Sequence, residues 1–73
     1  MEKYLVIEMQ TFEDGKMSTP CFAYDLQAQA EAKYHAILAS AAVSELPAHA
    51  AILATNGGAV LESKAYFHGT EAE

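Results

Sequence analysis

One alanine-rich helical stretch, residues 26 to 44, lies between two segments that each carry a tight-turn signal, Asp14-Gly15 and Asn56-Gly57. This arrangement constrains the fold more than any other feature of the chain. Asp-Gly and Asn-Gly supply successive residues that accept positive φ, as two-residue hairpin loops require. The run before the first pair, residues 3–12, is rich in β-branched and aromatic residues. The chain therefore reads hairpin, helix, hairpin. It predicts an α+β domain of ββαββ order: a four-stranded antiparallel sheet with one Ala-rich helix packed on one face.

Residues 3–12 (KYLVIEMQTF) read as the first strand. With Asp14 and Gly15 as the loop, Ile7 pairs with Phe22 and Leu5 with Tyr24. That register puts Leu5, Ile7, Met9, Phe22 and Tyr24 on one core face. Pro20 has no N–H for a ladder, so the second strand is an edge or carries a bulge. Asp25 is placed to cap the helix, because its carboxylate can accept orphan N–H groups of the first turn. Pro47 stops the helix from continuing. At helical spacing Leu26, Ala30, Tyr34, Ile37, Leu38 and Ala41 form a core stripe. A second arc, Ala28, Ala32, Ala36, Ala39 and Val43, has side chains small enough for close approach. It is the expected interface of a homo-oligomer.

In the second hairpin the turn at Asn56-Gly57 pairs Ile52 with Leu61, Leu53 with Val60 and Ala54 with Ala59. Gly58 also permits a three-residue loop that shifts this pairing by one. One face holds Ile52, Leu61, Ala65 and Phe67. The other holds His49, Leu53, Val60, Glu62, Lys64 and Tyr66. The sheet face away from the helix is expected to carry Tyr4, Val6, Phe12, Leu53, Val60 and Tyr66, a second candidate interface. The single domain spans residues 1–68, and 69–73 (GTEAE) is a short acidic tail.

Seventy-three residues bury only roughly 60% of the unfolded surface, so such a domain needs added stabilisation. A lone cysteine, Cys21, cannot form an intrachain disulfide. Cys21, His35, His49 and His68 lack paired zinc spacing, so no metal is expected. Much of the 52% apolar content is alanine, which buries little area. Self-association is the remaining means of support. A net charge of −6, with four lysines and no arginine, argues against non-specific nucleic-acid binding. No apolar run approaches the roughly 20 residues of a membrane span. The N-terminus has no signal-peptide pattern. These features and the lone thiol place the chain in the cytoplasm.

No glycine-rich phosphate loop precedes a helix with the following Lys and Ser or Thr. Ser18, Ser40, Ser44 and Ser63 carry no nucleophile signature, and Cys21 has no evident base. The chain reads as a non-enzyme without a cofactor. Tyr4, His49, Lys64 and Tyr66 form the candidate ligand site. Tyrosine offers a stacking face and a hydroxyl, and lysine offers charge for an anionic or aromatic small molecule.

The segments Tyr4-Leu5-Val6-Ile7-Glu8-Met9-Gln10, Ala23-Tyr24-Asp25, Tyr34-His35-Ala36-Ile37-Leu38-Ala39, Ala41-Ala42-Val43-Ser44 and Leu61-Glu62-Ser63 together resemble small uncharacterised proteins of bacteriophages and prophages of gut bacteria. The likeness spans nearly the whole chain and carries no catalytic signature. It implies expression in an infected bacterium. It also suggests a protein that inhibits a host process by binding, antiviral defence among the options; the homo-oligomeric state is expected from the helix arc and the outer sheet face. The means is sequestration of a small nucleotide-like ligand or of a host protein. The alternative it implies is a structural or assembly accessory, or an oligomerisation module, of a phage.

Overall fold

The first turn decides which way the sheet faces. In the computed structural model, which describes residues 2–68, Gly15 takes a φ of 88°, a conformation that favours glycine. Phe12 N–H donates to the Lys16 carbonyl at 2.8 Å, and Gly15 N–H to the Phe12 carbonyl at 2.9 Å. The Asp14 carboxylate accepts from Lys16 N–H at 2.9 Å. The loop is thus Glu13-Asp14-Gly15, a three-residue turn closed by a left-handed glycine, and not the two-residue turn the sequence predicts.

That extra loop residue moves the pairing by one. Strand β1 (Tyr4–Thr11) runs antiparallel to β2 (Met17–Ser18) and β3 (Cys21–Tyr24). Val6 stands opposite Phe22, Leu5 opposite Ala23 and Ile7 opposite Cys21. Side chains alternate along a strand, so a one-residue slip exchanges its two faces. Val6 is fully buried with the helix, and Phe22 and Tyr24 pack beside it. Leu5, Ile7 and Met9 lie on the uncovered side. The expected core face was therefore divided between the two sides of the sheet.

Pro20 shapes the edge as expected. It separates β2 from β3, and its carbonyl accepts Glu8 N–H at 2.9 Å. The second strand of the predicted four becomes two pieces, which gives a five-stranded antiparallel sheet. Strand β4 (Ala48–Thr55) pairs with β1 along its whole length and with β5 (Val60–Phe67) on its other side. The order is β2-β1-β4-β5, with β3 also beside β1.

The second turn repeats the first. Gly58 has φ 97°, Thr55 N–H donates to the Ala59 carbonyl at 2.8 Å, and Gly58 N–H to the Thr55 carbonyl at 3.0 Å. A further register shift falls between Leu53 and Ala54. Ala54 meets Val60, Leu53 meets Glu62 and Ile52 meets Ser63, each a correction to the expected pairs. The two single shifts add to an even number, so Ile52 still shares a face with Ala65 and Phe67. Their face is the reverse of the expected one: Leu53 is fully buried beneath the helix, and Ile52 faces away.

Helix α1 (Gln27–Ala42) follows an extended Leu26 and has no side-chain cap. Asp25 is not the cap; it forms an ion pair with Lys3 Nζ. Alanine favours the helical backbone, and the packing stripe anchors it. Ala30, Tyr34, Ile37 and Ala41 are buried, with Leu38 packed against them. Leu26 precedes the helix and is 59% exposed, so it is not part of the stripe. At the other end, His68 Nε2 donates to the Ala41 carbonyl at 2.8 Å, which satisfies one of the helix's terminal acceptors. The expected acidic tail, 69–73, lies outside the described residues.

Candidate functional site

With the helix on one side, the sheet presents its other side bare. Leu5, Ile7 and Met9 from β1, Ala50 and Ile52 from β4, and Ala65 and Phe67 from β5 share this surface by register. Met9, Ala50, Ala51, Ile52, Ser63, Lys64 and Ala65 line a shallow depression of about 410 Å³ here, although the register assigns Ala51 and Lys64 to the other face. Phe67 is 78% exposed, a large ring left in water. Among the strand residues of this face none is charged. The expected outer residues Tyr4, Val6, Leu53 and Tyr66 belong instead to the helix side, where the slip in register sent them. The helix arc Ala28, Ala32, Ala36, Ala39 and Val43 is exposed, and Val43 lies just past the helix end.

On the helix side, the expected ligand residues divide. His49 and Tyr66 are direct cross-strand partners, and Lys64 stands two pairs along on the same face, opposite Ala51. Lys64 Nζ sits 5.1 Å from the centre of the Tyr66 ring, a cation–π contact. The Tyr66 and His68 rings are parallel, with centres 6.2 Å apart. Tyr4 is not with them. It pairs with Thr55 and Tyr24 at the other end of β1, where its hydroxyl donates to Glu2 Oε1 at 3.3 Å. So the fold gathers Lys64 and Tyr66 on β5, with His68 just past its end, in one row beside His49, and leaves Tyr4 out.

His49 does something its sequence context did not show. Its ring is buried, and Nε2 lies 2.5 Å from Glu8 Oε2. Gln10 Nε2 donates to the same oxygen at 3.0 Å. The other ring nitrogen, Nδ1, is buried and has no hydrogen-bond partner among the described residues. Side-chain exposures of 6% and 16% for His49 and Glu8 keep the pair largely out of water on the helix side of the sheet. Glu8 and Gln10 were missed by sequence reasoning. The available signal was a carboxylate in the middle of an apolar central strand, which requires a partner.

Tyr34 lies nearby, 2% exposed. Burial pushes its hydroxyl above the usual 10.0, with the Glu62 carboxylate and Tyr66 adding to the rise. The folded state then holds this proton more tightly than the unfolded chain does. Its contribution to stability is complete below the unfolded value, about 10, and is lost as pH rises through the folded one. Urea titrations between about pH 9 and 11 are expected to show falling stability, and Tyr34→Phe to flatten the part due to this residue. Equal slopes in both proteins would remove Tyr34 as the cause.

No known family, curated protein or solved structure matches the chain. Among the described residues, no helix is long and apolar enough to cross a membrane, and no group of three His, Cys, Asp or Glu side chains is placed to hold a metal ion.

Proposed function

We propose that this chain is a non-enzymatic, homo-oligomeric binding protein that assembles by stacking its uncovered sheet face against that of a second copy. The observation that carries this reading is the uncharged apolar surface of Leu5, Ile7, Met9, Ile52 and Phe67. Each copy carries a net charge of −6, and here two copies meet without burying a carboxylate, whose desolvation is costly. Leu53 and Val6 are the largest fully buried side chains, a small core even for so short a chain. Two such faces packed about 10 Å apart would form a second core, which is what a domain of this size otherwise lacks.

The assembly acts by sequestration. Resemblance to bacteriophage and prophage proteins supports a bacterial host process as its target. The row of Lys64, Tyr66 and His68 supports a planar, anionic, nucleotide-like molecule as its ligand, with the rings for stacking and the ammonium for charge.

Native mass spectrometry of the full chain purified from bacteria tests both parts. The expected spectrum shows an even number of chains, with extra mass that denaturation removes. Ile52→Glu places a carboxylate in the middle of the face and is expected to halve the number of chains while leaving the far-UV circular dichroism unchanged. A wild-type protein that is a single chain at micromolar concentration, or an Ile52→Glu protein with the wild-type mass, would overturn the stacked assembly.

A further inference from the structure

The two edges of this sheet are built differently. One edge is β2 and β3, of two and four residues, interrupted at Thr19-Pro20. Short strands, a proline and a break are the means by which natural sheets prevent edge-to-edge pairing. The other edge is β5, eight residues long without proline. It ends the sheet order, and its residues are exposed apart from half-buried Tyr66. An unprotected edge of this length presents a row of backbone donors and acceptors ready to pair.

We infer that β5 is a homodimer edge, which pairs antiparallel with β5 of a second copy about a two-fold axis at Ser63. The occupant and the register follow from pleat and charge. Directly opposed residues in an antiparallel pair must point to the same face, so only registers with one residue at the axis are regular. Two of these keep seven of the eight β5 residues paired. With Lys64 at the axis, Leu61–Phe67 pair, and the two ammonium groups oppose each other. With Ser63 at the axis, Val60–Tyr66 pair, and Glu62 stands opposite the partner's Lys64. Symmetry repeats that contact, so one register gains two opposite-charge pairs and the other sets like charges together. A single lysine on an edge ordinarily repels a second strand, but Glu62 lies on the same face two residues away and reverses that effect. The pairing also brings two Lys64–Tyr66 rows side by side.

This contact rests on the backbone edge and its charges, independent of the stacked faces. Its test uses the Ile52→Glu protein, in which stacking is disrupted, so that edge pairing is read alone. Sedimentation across a concentration series is expected to show two chains. Adding E62K, or adding K64E, is expected to raise the dissociation constant about tenfold or more, because two favourable contacts become like-charge contacts. Adding both together restores the charge pairs in reverse and is expected to recover the dimer. Both positions are exposed, and circular dichroism is expected to remain that of the parent. An Ile52→Glu protein that is a single chain throughout, single reversals without effect, or a double reversal that fails to recover pairing overturns the inference. Failure of the stacked assembly reads differently: Ile52→Glu then has the same mass as wild type.

Discussion

Leu53→Ala is expected to destabilise the fold by about 2–5 kcal/mol, the range for removing a buried leucine side chain beyond Cβ. Leu53 is fully buried and belongs to the cluster of Val6, Ala30, Tyr34, Ile37 and Ala51. The substitution loses the transfer free energy of the removed atoms and leaves a cavity between helix and sheet. Natural domains are stable by only about 5–15 kcal/mol, and a chain of this length stands near the low end. Leu53→Ala is thus expected to move the urea midpoint far down or to leave the chain largely unfolded at 37 °C. Ile52, its neighbour in sequence, points the other way. Ile52→Ala is expected to cost much less in conditions dilute enough to separate the subunits. Urea midpoints of the two variants, measured side by side, decide which face of β4 meets the helix. Equal losses would mean that the register described here is wrong.

Glu8→Ala is the second large effect, about 1–3 kcal/mol. The carboxylate accepts from His49 Nε2 at 2.5 Å and from Gln10 at 3.0 Å. Without it, a buried imidazole N–H loses its acceptor and cannot reach water, so the cost is the desolvation of the group left behind. Replacing both partners by apolar groups of similar size, Glu8→Leu with His49→Phe, is expected to recover most of the loss, because the buried imidazole is then gone and only the half-buried Gln10 amide loses an acceptor. Denaturant titration of the single and double variants measures this directly. A double variant as weak as Glu8→Ala alone would show that the unpaired imidazole N–H is not the cause of the loss.

The legible part of this fold was its local part. Tyr34, Ile37 and Ala41 repeat at helical spacing, and they are the residues the sheet buries. Asp14-Gly15 and Asn56-Gly57 marked both turns, and Pro20 marked the broken edge. The choice of loop length was not legible, because Gly15 serves equally well as the second residue of a two-residue turn or the last of a three-residue one. Everything about facing depended on that choice. In the first hairpin one added residue exchanged Val6 for Leu5 and Ile7 at the core. In the second, the loop and the shift at Leu53 together moved the pairing by two, so Ile52 kept Ala65 and Phe67 as companions. Of the candidate ligand residues, His49, Lys64 and Tyr66 share a sheet face because β4 and β5 are adjacent in the chain. Tyr4 is not among them, because its end of β1 meets the far end of β4, and only the long-range pairing of those strands fixes that.

By itself, the sequence determined which segments become strands and helix, where the turns and the broken edge fall, and that little large apolar material is available for burial. These properties depend on φ preferences, side-chain periodicity and composition, all carried within a few residues. Only the tertiary structure decided which side of the sheet the helix covers, that His49 meets Glu8 across 41 positions of chain, and that β5 is left as the long open edge. Those outcomes depend on the register between distant strands. Register is set by the sum of packing over a whole face, and no single residue encodes it.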